Sequence, residues 1–259
     1  MLPHRNTALH LLQAWFFPRL MLLLALGFVP YLLSLSSATM PAQAWPTPVT
    51  QPAATAPAKV DYYAMTAEVF FKQDIVRQRF VEKPDGTHID HDLLDAAIFH
   101  ATNIARAEQK LGPLQYGKPL TAIARQHSQE MIDLQYFDHE SPVPEFHTPT
   151  ERFNRAGLKP RGYAENIAML PVLDAPAKFN IDTVDGVTKR TDPDTGEEIL
   201  PYTYEAFAKK SVAIWMNSPH HRANILEPNM KFMAVGTAGG SFEKQDSILI
   251  TQNFSTDIK

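Results

Sequence analysis

The chain has 259 residues, a formal net charge of −4 at pH 7, 44% hydrophobic residues, 20% charged residues and no cysteine. This composition excludes a disordered chain, and the acidic balance gives no reason to expect nucleic-acid binding through bulk charge. The absence of cysteine excludes a thiol nucleophile, thiolate metal sites, iron–sulfur clusters and disulfides, including a disulfide-linked partner.

The N-terminal region has the three parts of a secretory signal peptide. Arg19 precedes an apolar run from Leu20 to Leu35, and small residues ending at Ala44 form an A-x-A-like cleavage site. This run is short for a permanent span, which needs about 20 apolar residues, although an uncleaved anchor stays open. We therefore expect residues 1–44 to be a signal peptide or anchor and residues 45–60 to be a Pro/Ala/Thr-rich linker. The working domain would then be extracytoplasmic, either secreted or periplasmic.

Residues 61–91 are expected to form an N-terminal extension. Its first part, Asp61 to Phe80, has an ambiguous helical pattern, and Glu82 to Asp92 is a cluster of turn residues.

Helical periodicity is clear after this extension. Apolar residues recur at helical spacing from Leu94 to Ala105, from Leu120 to Leu134 and from Tyr204 to Met216, with Pro219 ending the last segment. Between the last two of these helices, Thr148 is the expected N-cap of a short helix that closes near Gly157.

Strand patterns are fewer, and they complete the predicted architecture. They run from Tyr163 to Leu170, from Phe232 to Thr237 and from Ile248 to Phe254. Gly239 and Gly240 are expected to separate the last two strands. Four helices interleaved with about three strands predict an α/β domain, with helices on both faces of a small antiparallel sheet.

The familiar catalytic motifs are missing, including G-x-S-x-G, the phosphate-binding loops and H-E-x-x-H. Three polar segments stand out instead at the ends of predicted elements, namely 138–142, 162–166 and 215–226. Each carries a His or a Glu, and imidazole and carboxylate groups suit Zn²⁺ or a similar divalent ion. Each segment taken singly is a weak signal.

Taken together, the segments resemble the CAP superfamily of cysteine-rich secretory, antigen 5 and pathogenesis-related proteins, also called SCP domains. The likeness is greatest to its cysteine-free bacterial branch. It covers residues 92–254, leaves 255–259 as a tail, and rests on these blocks in order: FHATNIARAEQKLGPLQY, LTAIARQHSQEM, YFDHESP, TPTERFNRAG, YAENIA, SVAIWMNSPHHRANIL, AVGTAGG and ILITQNF.

The resemblance implies an α-β-α sandwich with an open cleft lined by two His and one or two acids. His139 and His221 match the two cleft histidines, and Glu165 matches the glutamate of the family's G-E-N segment. The further cleft or supporting groups expected are Ser218, Asn166, Asn224, Gln252 and His220. One departure is Ser218, which stands where eukaryotic members have a second glutamate.

Other polar residues have simpler explanations. His127 lies on an apolar stripe and is expected to be a hydrogen-bonded core histidine. His88 and His91 belong to a turn, and 192–198 is expected to be a solvated turn rather than a calcium loop. The segment 171–203 is longer than the family pattern and contains a predicted hairpin turn at Val184 to Val187. It could be a rim or lid of the cleft, or a surface hairpin.

Three functions follow as hypotheses. In the first, a binding domain holds a divalent cation, Zn²⁺ before others, through His139, His221 and Glu165, together with a lipid, small-molecule or cell-envelope ligand. In the second, a metal-assisted hydrolase uses Glu165 as general base. In the third, a non-catalytic surface binds an envelope partner. We expect a monomer in each case.

Overall fold

The computed structural model describes residues 60–83, 86–176, 178–184 and 187–259. The predicted signal peptide 1–44 and all but the last residue of the predicted linker 45–60 lie outside this part of the chain. Within it, no helix has the length and apolar character needed to cross a bilayer.

The described residues form six α-helices, eight strands and three short 3-10 segments. The helices are α1 (Ala67–Phe71), α2 (His91–Glu108), α3 (Lys118–Leu134), α4 (Pro149–Arg155), α5 (Tyr204–Asn217) and α6 (Pro219–Leu226). The strands are β1 (Val81–Lys83), β2 (Gly86–His88), β3 (Gln115–Tyr116), β4 (Tyr163–Pro171), β5 (Asn180–Val184), β6 (Val187–Thr191), β7 (Phe232–Phe242) and β8 (Gln245–Ser255). The 3-10 segments are Tyr62–Ala64, Asp74–Arg77 and Pro144–Phe146.

The central sheet has four strands in the order β3-β7-β8-β4. The three long strands β7, β8 and β4 pair antiparallel, as predicted, and the two-residue β3 joins β7 in parallel. The pairs β1–β2 and β5–β6 form separate two-stranded ribbons. As a result, β4 is an edge strand of the central sheet.

Helices cover both faces of this sheet, which confirms the predicted layers. Successive side chains of a strand point to opposite faces. Accordingly, Met233 and Val235 of β7 join the core formed with α2, α5 and α6, whereas Ala234 and Ala238 pack against α3. The result is a three-layer sandwich with α2, α5 and α6 on one face and α3 and α4 on the other.

A glycine in β7 lets α3 lie unusually close to the sheet. A Cβ atom added at Gly236 would stand 2.1 Å from the backbone nitrogen of Arg125 in α3. The hydroxyl of Ser128, one turn further along α3, donates to the carbonyl of Gly236 at 2.8 Å. Backbone contact therefore fixes the distance between α3 and β7.

The region from Glu82 to Asp92 differs from its prediction as a turn cluster. It contains the β1–β2 ribbon, and α2 begins at His91. The helix starts early because the Asp90 side chain accepts a hydrogen bond from the backbone nitrogen of Leu93 at 3.0 Å, which caps the first turn. The ambiguous stretch before this region contains only the short α1 and two 3-10 turns.

Two further boundaries were predicted incompletely. Gly239 and Gly240 do not interrupt β7, because both pair with β8, opposite Ile248 and Ser247. The absence of a side chain at Gly240 leaves room for Ile132 of α3. Pro219 does lie beyond the end of α5, but it also begins α6, a helix that was not predicted, because proline is favoured at a first helical position.

The inserted segment 171–203 contains the predicted hairpin, β5–β6, with Val184 paired to Val187. The hairpin borders a 410 Å³ cavity at the end of β4, whose lining includes Val172, Phe179 and Ile181. Glu165 lies six residues before Pro171 on the same strand, or about 20 Å away at the usual rise of a strand. The hairpin therefore lies at the other end of β4 from Glu165.

Candidate functional site

Glu165 lies on the face of β4 that α3 and α4 cover. Its side chain is only 2% exposed, although it carries a carboxylate. The guanidinium of Arg152 in α4 compensates, since one of its terminal nitrogens donates to the two carboxylate oxygens at 2.8 and 2.9 Å. A buried charge with a hydrogen-bonded partner of opposite charge avoids most of the cost of burial.

Arg152 also organises the loop that precedes α4. Its terminal nitrogens donate to the backbone carbonyls of Phe146 at 2.8 Å, His147 at 3.3 Å and His139 at 3.0 Å. One buried side chain thus holds the loop against β4. We did not predict this role.

A capping box sets the position of Arg152 on α4. Thr148 accepts a hydrogen bond from the backbone of Glu151, and the Glu151 side chain accepts one from the backbone of Thr148. This register buries Phe153 beside Arg152, while Arg155 stays exposed. The sequence identified the cap, but no local signal distinguishes the buried arginine from the exposed one.

His139 lies in the loop after α3 and contacts Glu165. Its Nδ1 is 3.0 Å from Oε1 of Glu165, and its side chain is 43% exposed. Burial acts to raise the pKa of Glu165, but the hydrogen bond from His139 and the charge of Arg152 outweigh it and the pKa is lowered. An ionised carboxylate only accepts, so Nδ1 of His139 carries the hydrogen and Nε2 is left for another partner.

His127 of α3 lies on the inner side of the same carboxylate. Its Nδ1 is 3.7 Å from Oε2 of Glu165 and 3.5 Å from the hydroxyl of Thr251. Burial lowers the pKa of His127 to about 4, against the opposing charge of Glu165. His127 is therefore buried in the core, as expected, and it is also neutral and in contact with Glu165.

His221, in the first turn of α6, approaches from the other layer of the sandwich. Its Nδ1 is buried and has no hydrogen-bond partner among the described residues. Burial lowers the pKa of His221, and the charges of His139 and His220 lower it further. The charge of His139 thus acts on the ring of His221, although the two side chains belong to different layers of the sandwich.

The predicted supporting amides form a chain of hydrogen bonds from α6 to α2, by way of side chains on the strands of the sheet. The side chain of Asn224 donates to that of Asn166 at 2.8 Å, Asn166 donates to Gln252 at 3.1 Å, and Gln252 donates to Thr102 of α2 at 2.8 Å. Asn166 also donates to the backbone carbonyl of His221 at 3.2 Å. Asn166 and Gln252 are fully buried, so they position α6 and do not face solvent.

The two remaining predicted residues are at the start of α6. Ser218 is the N-cap, but its side chain makes no capping hydrogen bond. His220 is exposed next to His221.

A second carboxylate that was not predicted supports the loop carrying His139. Glu130 of α3 accepts hydrogen bonds from the hydroxyls of Tyr136, at 2.7 Å, and of Ser141. Ser141 in turn is bonded through its backbone to His147. These contacts fix the loop on both sides of His139.

The donor set suits a cation bound by few protein ligands. The described residues contain no cluster of three or more His, Asp or Glu that could hold a metal ion. Glu165 is engaged by Arg152 and His139, which leaves Nε2 of His139 and the ring of His221 as nitrogen donors. Imidazole nitrogen is a common ligand of divalent ions such as Zn²⁺, although most zinc sites have three or four protein ligands.

Much of the chain is similar to proteins that are already known. The model of the cysteine-rich secretory protein family, CAP, matches residues 99–254. The uncharacterized protein YkwD of Bacillus subtilis is 32% identical over 139 residues, which cover 54% of this chain and 40% of YkwD. The matched segment thus spans less than half of that relative.

Solved structures were also found to be similar. An extracellular protein with an SCP domain from Bacillus anthracis has 24% identity and a TM-score of 0.43, covering 68% of this chain and 44% of its own. An outer surface protein of Borrelia burgdorferi has 13% identity and a TM-score of 0.42, covering 65% and 97%. Since the family model matches more than half of the residues, the chain belongs to the cysteine-rich secretory protein (CAP) family.

Proposed function

We propose that this chain is an extracytoplasmic binding domain that holds a divalent cation, Zn²⁺ before others, between His139 and His221. A carboxylate or other oxygen group of a small-molecule, lipid or cell-envelope ligand would complete the coordination. The observation that carries the proposal is the hydrogen bond between Nδ1 of His139 and Glu165, because it orients the ring and leaves Nε2 for the cation. The leader-like composition of residues 1–44 supports the location.

In this proposal Glu165 orients His139 and does not bind the cation. Both of its oxygens already accept hydrogen bonds from Arg152, and its side chain is almost fully buried. The bound cation would supply positive charge for an anionic ligand, while His139 and His221 hold it.

The same contacts make the hydrolase hypothesis the weaker one. A general base must reach the proton it removes, and it works best when its pKa is near the working pH. Glu165 is buried under the loop that carries His139, and its pKa is lowered. Both properties oppose proton abstraction by this carboxylate.

Calorimetric titration of residues 60–259 with Zn²⁺ tests the proposal. The wild type is expected to bind weakly, and the double variant His139→Ala/His221→Ala is expected to show only heats of dilution. His88→Ala is the matched control, because His88 is an exposed histidine on β2. Equal heats for the wild type and the double variant would contradict the proposal.

A further inference from the structure

Three buried residues around Glu165 have polar atoms without partners. They are Nε2 of His127, Nε of Arg152, and both the nitrogen and the oxygen of the Asn253 side-chain amide, none of which has a hydrogen-bond partner among the described residues. His127 and Asn253 are fully buried, and Arg152 is 3% exposed. A buried polar atom that is left unpaired destabilises the folded protein, so four such atoms in one region require an explanation.

The pairing of the strands places Asn253 at the centre of this region. Asn253 of β8 is directly opposite Glu165 of β4, and directly opposite residues point to the same face of a sheet. That face is the one covered by α3, which carries His127, and by α4, which carries Arg152. Both helices also contact Glu165 through these side chains. The three side chains therefore lie on the same face of the sheet, around Glu165.

The charges and donors of these groups define what could bind there. Arg152 and Glu165 neutralise each other, and the lowered pKa of His127 keeps that ring neutral near pH 7. Arg152 Nε and the Asn253 nitrogen can only donate, whereas the Asn253 oxygen can only accept. A cation would be repelled by Arg152, and an anion would be repelled by Glu165 and the amide oxygen. A neutral molecule that both donates and accepts satisfies every group.

We propose that Asn253, His127 and Arg152 form an internal hydration site that binds ordered water behind Glu165. Water would accept hydrogen bonds from Arg152 Nε and the Asn253 nitrogen, and would donate to the Asn253 oxygen and to Nε2 of His127. Buried waters of this kind make about three hydrogen bonds to groups that otherwise have none. This inference does not depend on metal binding, because it involves neither His139 nor His221.

A high-resolution crystal structure of residues 60–259 tests the site directly. We expect ordered water within hydrogen-bond distance of the Asn253 amide and of Arg152 Nε or His127 Nε2. Protein groups in place of water as the partners of both Asn253 amide atoms would overturn the inference. This measurement uses the wild-type sequence of the domain, so it does not depend on whether a variant folds.

Water-oxygen relaxation dispersion provides the second test, because it counts waters with long residence times in solution. The variant Asn253→Leu, similar in size but without polar atoms, is expected to lose at least one long-lived water relative to the wild type. Asn229→Leu is the control, since Asn229 is exposed and bonded to Glu227, and it should lose none. An unchanged count for Asn253→Leu would also overturn the inference.

Discussion

At the scale of single residues, the pair formed by Arg152 and Glu165 links three parts of the molecule. Arg152 contacts the loop that carries His139, and Glu165 contacts His139 and His127. Both members of the pair are almost completely buried. The contribution of this pair to stability must therefore differ from that of an exposed pair.

Glu165→Gln is expected to lower the free energy of unfolding by about 3–5 kcal/mol, because it leaves the charge of Arg152 buried without a counter-charge. Arg152→Met should have an effect of similar size, because it leaves the charge of Glu165 buried without a counter-charge. The double variant should lose less than the sum of the two, because it removes both charges. Urea denaturation of the four proteins measures these differences.

The exposed pair Lys209–Glu205 provides the control for this cycle, with side chains 61% and 25% exposed. Glu205→Gln is expected to cost at most about 1 kcal/mol. A loss for Glu165→Gln no greater than that for Glu205→Gln would show that the buried pair is unimportant for stability.

The lowered pKa of His127 makes the free energy of unfolding depend on pH. Its pKa falls from the ordinary value of 6.5 to about 4 in the folded protein, because burial opposes the charged form. Glu165 and Glu130 face it and act to raise the pKa, while Arg152 and His139 act to lower it. Between these two pH values the unfolded chain binds the proton and the folded chain does not. The contribution of His127 to the free energy of unfolding is therefore complete above pH 6.5. It declines by about 3 kcal/mol as the pH falls towards 4.

His127→Phe should remove this part of the pH dependence, since phenylalanine does not titrate. The check is the free energy of unfolding at several pH values between 7 and about 4, with His88→Gln, an exposed histidine, as the control that keeps the wild-type slope. Parallel curves for the wild type and His127→Phe would contradict the assignment.

The sequence identified the residues of the predicted cleft better than the residues that support them. His139, Glu165 and His221 belong to recognisable blocks, and the structure brings His139 to Glu165. Arg152 and Glu130 were missed because their roles depend on contacts across layers. Periodicity assigns a residue to a buried or an exposed face, but it does not say which opposite charge it will meet there.

At the scale of elements, the contact between α3 and β7 depends on one glycine. Gly236→Ala would place a methyl group against the backbone of α3, where no side-chain rotation can relieve the overlap. We expect a loss of about 3 kcal/mol or more in the free energy of unfolding, in the range of severe overpacking. Gly112→Ala is the matched control, because an added Cβ there meets nothing within 4 Å. Similar denaturation midpoints for the two variants would contradict this account.

The elements that were predicted well are those with a long, regular pattern. The helices α2, α3 and α5 and the three long strands follow helical or alternating periodicity over many residues. The missed α6 has only one buried residue, Ile225, so its sequence lacks an apolar stripe. The two-residue β3 is stabilised by pairing with β7, which is distant in the sequence and has no local signature.

At the scale of the whole molecule, the predicted cleft and the inserted hairpin are at opposite ends of β4. Replacing residues 178–197 with a short Gly/Ser linker should leave the fold and Zn²⁺ binding intact, because most residues of this hairpin whose burial is described are exposed. Deletion of all of 171–203 should unfold the domain, since it also removes the buried Val172, Ile199 and Tyr202. Circular dichroism and calorimetry on both deletions measure these outcomes. Loss of Zn²⁺ binding with the first deletion, in a folded protein, would assign the hairpin to the site.

The edge position of β4 has a consequence for self-assembly. Two of its backbone carbonyls, at Glu165 and Ile167, accept hydrogen bonds from Asn224 of α6, at 3.3 Å, and from the indole of Trp215 of α5, at 2.9 Å. An uncovered edge strand is a template on which another chain can add by backbone pairing. An extended segment of a second copy that approached β4 would find these acceptors occupied, so α5 and α6 hinder the growth of fibrous aggregates from this side of the sheet.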